Sequence, residues 1–223
     1  MSRIAAFWET SVGKKAVMAV TGLILVAYLI THVLANLLVF TGPDRINRYA
    51  AILHSTGGAL WAARLVLLVS VVLHIVAATQ LALRRQAARP VAYAAGREPQ
   101  VSTLASRTIR WGGALLLVFI IFHILHFTTG TVHADFVELN PYHNVTTGFH
   151  NPLIVLFYLL AMAALGFHLY HGVWSSGRSL GVSPPSPDPL RRRVALVLGG
   201  FIWLGFTVIV VAAWLGAIPG ATR

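Results

Sequence analysis

The chain has 223 residues, 57% of them hydrophobic and 10% charged, with a formal net charge of +11. A soluble domain carries about 25% charged residues, so this balance excludes one. The absence of cysteine excludes disulfides, thiolate metal ligands and iron–sulfur ligation within the chain.

The apolar residues fall into five runs, each close to the roughly 20 residues that cross ~30 Å of hydrocarbon as a helix. A porin-like barrel is excluded, because its strands would alternate with period two over about 10 residues. The first run, about 16–40, contains His32. It is too long for the h-region of a signal peptide and lacks a convincing small-residue cleavage site, so it is expected to stay as the first helix. "TGPDRINRYAAILHSTGGA" follows, long enough for a short interfacial helix. The second run, about 60–83, carries His74. The polar segment from Arg84 to Arg110 comes next, with Pro90 and Pro99 expected to break any continuous helix. The third run, about 111–129, holds His123 and His126. After it, "TVHADFVELNPYHNVTTGFHNP" again has room for a short helix or cap. The fourth run, about 153–174, holds His168 and His171. "GVSPPSPDPLRRR" is expected to be extended, and the fifth run spans about 194–218.

The expected fold is one all-α membrane domain over residues 1–223, with five transmembrane helices, the first four forming a four-helix bundle. With five spans, the N-terminus, the 84–110 segment and the 175–193 segment share one side. They hold 13 of the 17 Lys and Arg. The positive-inside rule puts that side, and the N-terminus, in the cytoplasm. The basic charge thus reads as topology plus anionic lipid or, alternatively, as a docking face for an acidic soluble partner, with no nucleic acid implied.

Six of the ten histidines lie within the runs; His54, His133, His143 and His150 lie in the outer connections. An ionisable side chain in hydrocarbon costs a few kcal/mol, so four consecutive runs that each carry one need a common cause. At 1.5 Å per residue, His32 and His123 fall ~12 and ~10 Å below the outer surface, and His74 and His168 ~21 and ~22 Å below it. The first and third helices therefore pair at an outer level, the second and fourth at an inner level. Two facing imidazoles at one depth suit haem iron, and two such levels would place irons roughly 10 Å apart along the normal. Zinc would need four ligands at one site. A proton relay would lack an intramembrane carboxylate, and hydrogen-bonded structural histidines are the remaining alternative. Of each close pair, His123/His126 and His168/His171, only one member can be axial to a given iron. The second can bond a carbonyl or a haem propionate. Ala35, Gly166 and Gly172 are small residues that could admit a flat macrocycle.

A family resemblance rests on several motifs. "SVGKKAVMAVTGLILVAYLITHVLANLLVF" carries S-x-G-x-K-x-x-M-A-x-T-G on Ser11, Gly13, Lys15, Met18, Ala19, Thr21 and Gly22, then H-x-x-x-N-L on His32, Asn36 and Leu37. "GPDRINRYAAILHS" and "HLYHGVWSSGRSLG" add G-P-x-x-x-N-x-Y-A-x-x-L-H and H-L-x-H-G-x-x-S-x-x-x-x-L-G. In these stretches the chain resembles the cytochrome b membrane-anchor subunits of succinate dehydrogenase, in their single-chain, five-helix, di-haem form. The resemblance covers the first four runs; Ala35 stands where the family usually has Gly.

The resemblance implies two haems b. His32 and His123 would be axial ligands of the outer haem, and His74 and His168 of the inner one; His126 and His171 would be propionate contacts. It implies a bacterial cytoplasmic membrane and cytoplasmic partners: a flavoprotein subunit that oxidises succinate and an iron–sulfur subunit. Electrons would pass through the inner and outer haems to a quinone, menaquinone in this class. The subunit would work in respiratory complex II and the tricarboxylic acid cycle, with room for a higher oligomer of the complex. Tyr49, His54 and Arg64 in and beside the first outer connection offer polar groups to quinone carbonyls. The rival readings are a fumarate reductase anchor running in reverse, a stand-alone membrane cytochrome b quinone reductase, and a non-redox transporter.

Overall fold

The computed structural model describes residues 2–88, 104–182 and 189–220, and every regular element among them is helical. In chain order these are α1 (Arg3–Glu9), α2 (Ser11–Leu37) running into a 3₁₀ turn (Leu38–Thr41), α3 (Pro43–Ser55), α4 (Gly58–Ala87), α5 (Leu104–Phe127), α6 (Pro141–Gly148), α7 (Pro152–Ser179) and α8 (Pro189–Leu215). Five of them, α2 with its 3₁₀ extension, α4, α5, α7 and α8, are long and apolar enough to cross a membrane. The chain is thus a multi-pass membrane protein by the length and composition of its helices.

Local chemistry sets the helix starts. The Thr10 hydroxyl accepts from Gly13 N at 2.8 Å and caps α2. Asn140 caps α6 and Asn151 caps α7 in the same manner. Proline opens α3, α6, α7 and α8, where its missing N–H costs nothing. Gly57, with φ of 54°, makes the corner between α3 and α4.

The helices overrun the hydropathy boundaries. Arg84 and Arg85 form the last turn of α4 and Arg178 that of α7, so the backbone stays helical past the apolar stretch. The third span starts at Leu104 and ends at Phe127 rather than covering 111–129. Pro189 to Arg193, expected to be extended, form the first turns of α8. Pro90, Pro99 and the 183–188 part of the proline-rich segment lie outside the described residues. The connections 41–59 and 131–152 each contain a short helix, α3 and α6. They are tied together by Asn47, which donates to Asn140 Oδ1 at 2.9 Å and accepts from Tyr142 N at 3.1 Å.

The closest packing surrounds α7. It contacts α8, α5 and α2, while α2 also contacts α4 and α8. One core cluster joins Val155 and Tyr158 of α7 to Ile209, Val210 and Ala213 of α8 and to Tyr142, Val145 and Phe149. A second joins Val33, Leu116, Ala161, Met162, Leu165, Leu169 and Ile202. Small residues make the close crossings, as expected between membrane helices. A Cβ on Gly205 of α8 would stand 2.5 Å from Val33 Cγ2. Gly166, one of the small residues expected to admit a macrocycle, instead admits Trp203 of α8: a Cβ there would lie 3.4 Å from the Trp203 Cβ. By contrast α4 buries only Ser70 and Ala77, and α5 only Ala105, Leu116 and His126. The flanks of these two helices are apolar and exposed, Leu65, Leu68 and Val118 among them, which is the surface lipid would cover.

The start of the chain folds against the first span. Lys14 is 1% exposed; its Nζ donates to Trp8 O at 2.8 Å and sits 4.4 Å over the Trp8 ring. Gly13 is required at this corner, since a Cβ would run into the Phe7 carbonyl. Arg84 at the end of α4 pairs with Glu9 at 3.1 Å.

Candidate functional site

The four span histidines come together in two couples. The rings of His32 (α2) and His123 (α5) have centroids 5.9 Å apart at 85°. Those of His74 (α4) and His168 (α7) are 6.1 Å apart at 54°. The helix frame accounts for the matched heights. His74 and His168 each stand sixteen residues beyond the first residue of their helices, Gly58 and Pro152. His32 and His123 stand five and four residues before the helix ends Leu37 and Phe127.

The two couples are farther apart than the hydropathy runs suggested. The His74 ring lies at the level of Thr21, whose hydroxyl is 3.4 Å from His74 Nδ1. Thr21 is eleven residues before His32 on α2, or about 16 Å of rise. On α7, Tyr158 lies 3.4 Å from His123 Nδ1 and ten residues before His168, or about 15 Å. Two helices thus give the same separation, about 15 Å in place of roughly 10 Å.

Each ring's surroundings leave a nitrogen for its partner. His74 Nδ1 lies 3.0 Å from the Met18 carbonyl, the usual orientation of a ligating imidazole, whose other N–H goes to a backbone oxygen. His123 Nδ1 faces the Tyr158 hydroxyl. His32 Nδ1 has Asn36 Nδ2 at 3.3 Å and Tyr28 OH at 3.5 Å, and the Tyr28 ring stacks on it at 5.1 Å. His168 Nδ1 is buried without a partner, and an unsatisfied buried polar atom costs about 1–3 kcal/mol. Glycines line the second couple. A Cβ on Gly22 would lie 3.2 Å from His74 Cε1, and one on Gly113 would lie 3.9 Å from His168 Cε1.

A ligating imidazole nitrogen stands about 2 Å from its metal and about 1 Å from its ring centre, so two rings flanking one ion have centres about 6 Å apart. Both couples have that spacing. Among the described residues no three or more His, Cys, Asp or Glu side chains group so as to hold a metal ion. The arrangement therefore suits a metal that takes two protein ligands and receives the rest from a planar macrocycle, as haem iron does.

The other expected residues fall as follows. His126 is 1% exposed, with Nδ1 2.9 Å from Tyr158 OH and its ring 5.0 Å from His133. The His171 ring sits edge-on to Trp174 at 6.3 Å, and its Nδ1 is buried without a partner. Tyr49 and Arg64 lie within electrostatic reach of Tyr28. Arg64 also stacks over Trp61 at 4.9 Å. His54 is exposed in the last turn of α3.

Sequence reasoning missed Tyr158, Tyr28, Gly113 and the role of the Met18 carbonyl. Two signals were present. Tyr28 is one helical turn before His32, and Gly22 and Gly113 each precede their own helix's histidine by ten residues.

No known family model matches the chain, and no curated protein or solved structure matches it.

Proposed function

We propose that the chain is a di-haem membrane cytochrome b that anchors a succinate:quinone oxidoreductase and passes electrons to a quinone, menaquinone by the resemblance. The single observation that carries this reading is the pairing of four span histidines into two couples of 5.9 and 6.1 Å at two heights. The motif resemblance in the first and fourth spans supplies the rest.

In this reading α2, α4, α5 and α7 form the haem-binding four-helix bundle, with the N-terminus cytoplasmic. His74 and His168 would hold the inner haem and His32 and His123 the outer one. Bound haem b would accept and release single electrons. The chain's own residues do three things. The four imidazoles would hold the two irons, and the Met18 carbonyl orients His74. The exposed apolar flanks of α4 and α5 keep the couples within hydrocarbon. Tyr28 stands against His32 of the outer couple, and Tyr49 and Arg64, within electrostatic reach of Tyr28, would supply a second phenol and a cation to quinone carbonyls. Succinate oxidation and the first electron steps fall to a flavoprotein subunit and an iron–sulfur subunit on the basic face, because this chain has no cysteine.

The test is the visible spectrum and pyridine haemochrome of the full-length protein purified in detergent. About two b-type haems per chain and a dithionite-reduced b spectrum are expected. A colourless protein from haem-replete cells would overturn the reading. Co-purification of two larger subunits, one flavinylated and one iron–sulfur, separates the anchor from a stand-alone cytochrome.

A further inference from the structure

Tyr158 and His126 belong to no part of the electron path above, yet both are buried within the span region. Tyr158 is 3% exposed and His126 1%. A phenol and an imidazole in an apolar interior need partners, and here they serve each other: Tyr158 OH lies 2.9 Å from His126 Nδ1 and 3.4 Å from His123 Nδ1. The phenol ring is wedged edge-on between Phe119 at 5.0 Å and Phe149 at 4.9 Å, so its hydroxyl has little freedom to leave. His126 in turn abuts His133, whose Nε2 meets the Asn144 carbonyl at 3.1 Å.

We propose that Tyr158 is a positioning residue for His123, and that His126 is the acceptor that fixes its hydroxyl. This rests on the reading of His123 as an iron ligand. A ligating imidazole carries its proton on the other ring nitrogen and donates it outward. With His123 Nδ1 as donor, the Tyr158 oxygen is the acceptor, and the single phenol hydrogen goes to His126 Nδ1. The hydrogen bonds then run in one direction: His123 to Tyr158 to His126. At 3.4 Å the first of them is long. At the other couple the Thr21 hydroxyl also stands 3.4 Å from His74 Nδ1, but the Met18 carbonyl is nearer at 3.0 Å and no phenol–imidazole relay backs it, while His168 Nδ1 has no partner.

A stronger acceptor on the ligand's N–H raises its basicity and stabilises the oxidised metal. Tyr158 thus tunes one haem of the two. The experiment is an optical redox titration and low-temperature EPR of the full-length protein carrying Tyr158→Phe, His126→Phe or His126→Gln. Tyr158→Phe is expected to keep both haems, raise the midpoint potential of one, and move that haem's low-spin g values while the other's stay fixed. His126→Phe is expected to give a smaller shift of the same sign. His126→Gln, whose side-chain carbonyl can accept from the phenol, is expected to return the potential toward wild type. Unmoved potentials in Tyr158→Phe and His126→Phe with both haems present would overturn this inference alone. So would equal shifts of both haems. If Tyr158→Phe loses a haem, His126→Phe decides: a one-haem shift supports the brace and an unmoved potential overturns it. A wild-type protein without haem would overturn the functional reading and this inference together.

Discussion

The two histidine couples have nearly equal spacings but are held in different ways. Around His32 and His123 the neighbours are side chains: Tyr28 stacked at 5.1 Å, Phe206 at 5.6 Å, Phe119 stacked at 5.6 Å and the Tyr158 hydroxyl. Around His74 and His168 the framework is mostly backbone and small residues: the Met18 carbonyl, Gly22, Gly113 and the Thr21 hydroxyl. A side-chain framework can be altered one substitution at a time. A backbone framework responds only when a substitution intrudes on its space. The first couple should therefore be tunable, and the second should be either intact or lost.

The largest effects test the pairing itself. His32→Ala or His123→Ala is expected to remove one haem of the two, and His74→Ala or His168→Ala the other, by pyridine haemochrome. A loss that ignores the couples would break the comparison. Next come the glycines beside the second couple. Gly22→Val puts a branched side chain where a Cβ alone already lies 3.2 Å from His74 Cε1. It should weaken that haem by the 10–100-fold typical of a displaced ligand environment while the other haem stays. Gly113→Ala, at an ordinary 3.9 Å, should change neither.

Smaller effects concern the scaffold. Gly205→Ala drives a methyl into Val33, the neighbour of His32, at 2.5 Å. Overpacking of this kind costs about 1–3 kcal/mol, readable as a lower thermal midpoint in detergent. Asn144→Ala removes two 2.8 Å bonds to Val137, from its N–H and to its carbonyl. The expected loss is about 1–3 kcal/mol, with haem content retained. The smallest effect is the most specific. Met18→Leu should leave both haem potentials unchanged, because His74 meets the carbonyl of residue 18 and not its side chain.

The five spans were legible because membrane helices are written in long apolar runs. The couples were legible because a histidine's distance from the run's edge measures its height. The separation of the couples was misjudged because the apolar edge and the helix end differ: α2 and α5 end at Leu37 and Phe127, short of Phe40 and Thr129, while α4 and α7 start at Gly58 and Pro152, before Leu60 and Leu153. Gly166 was misread because glycine spacing tells that something approaches, not what; here it is Trp203. Tyr158 was invisible because it meets His123 across 35 residues of chain, and no local pattern marks a tertiary contact. The Lys14–Trp8 corner was hidden likewise, since a lysine at a span's start reads as a topology charge until its carbonyl partner is seen.

The most direct measurement is an anomalous difference map at the iron edge, from crystals of the full-length protein. Two peaks are expected, one between the rings of His32 and His123 and one between those of His74 and His168, about 15 Å apart along the helix axes. Iron elsewhere, or no iron between either couple in a haem-replete preparation, would contradict the account.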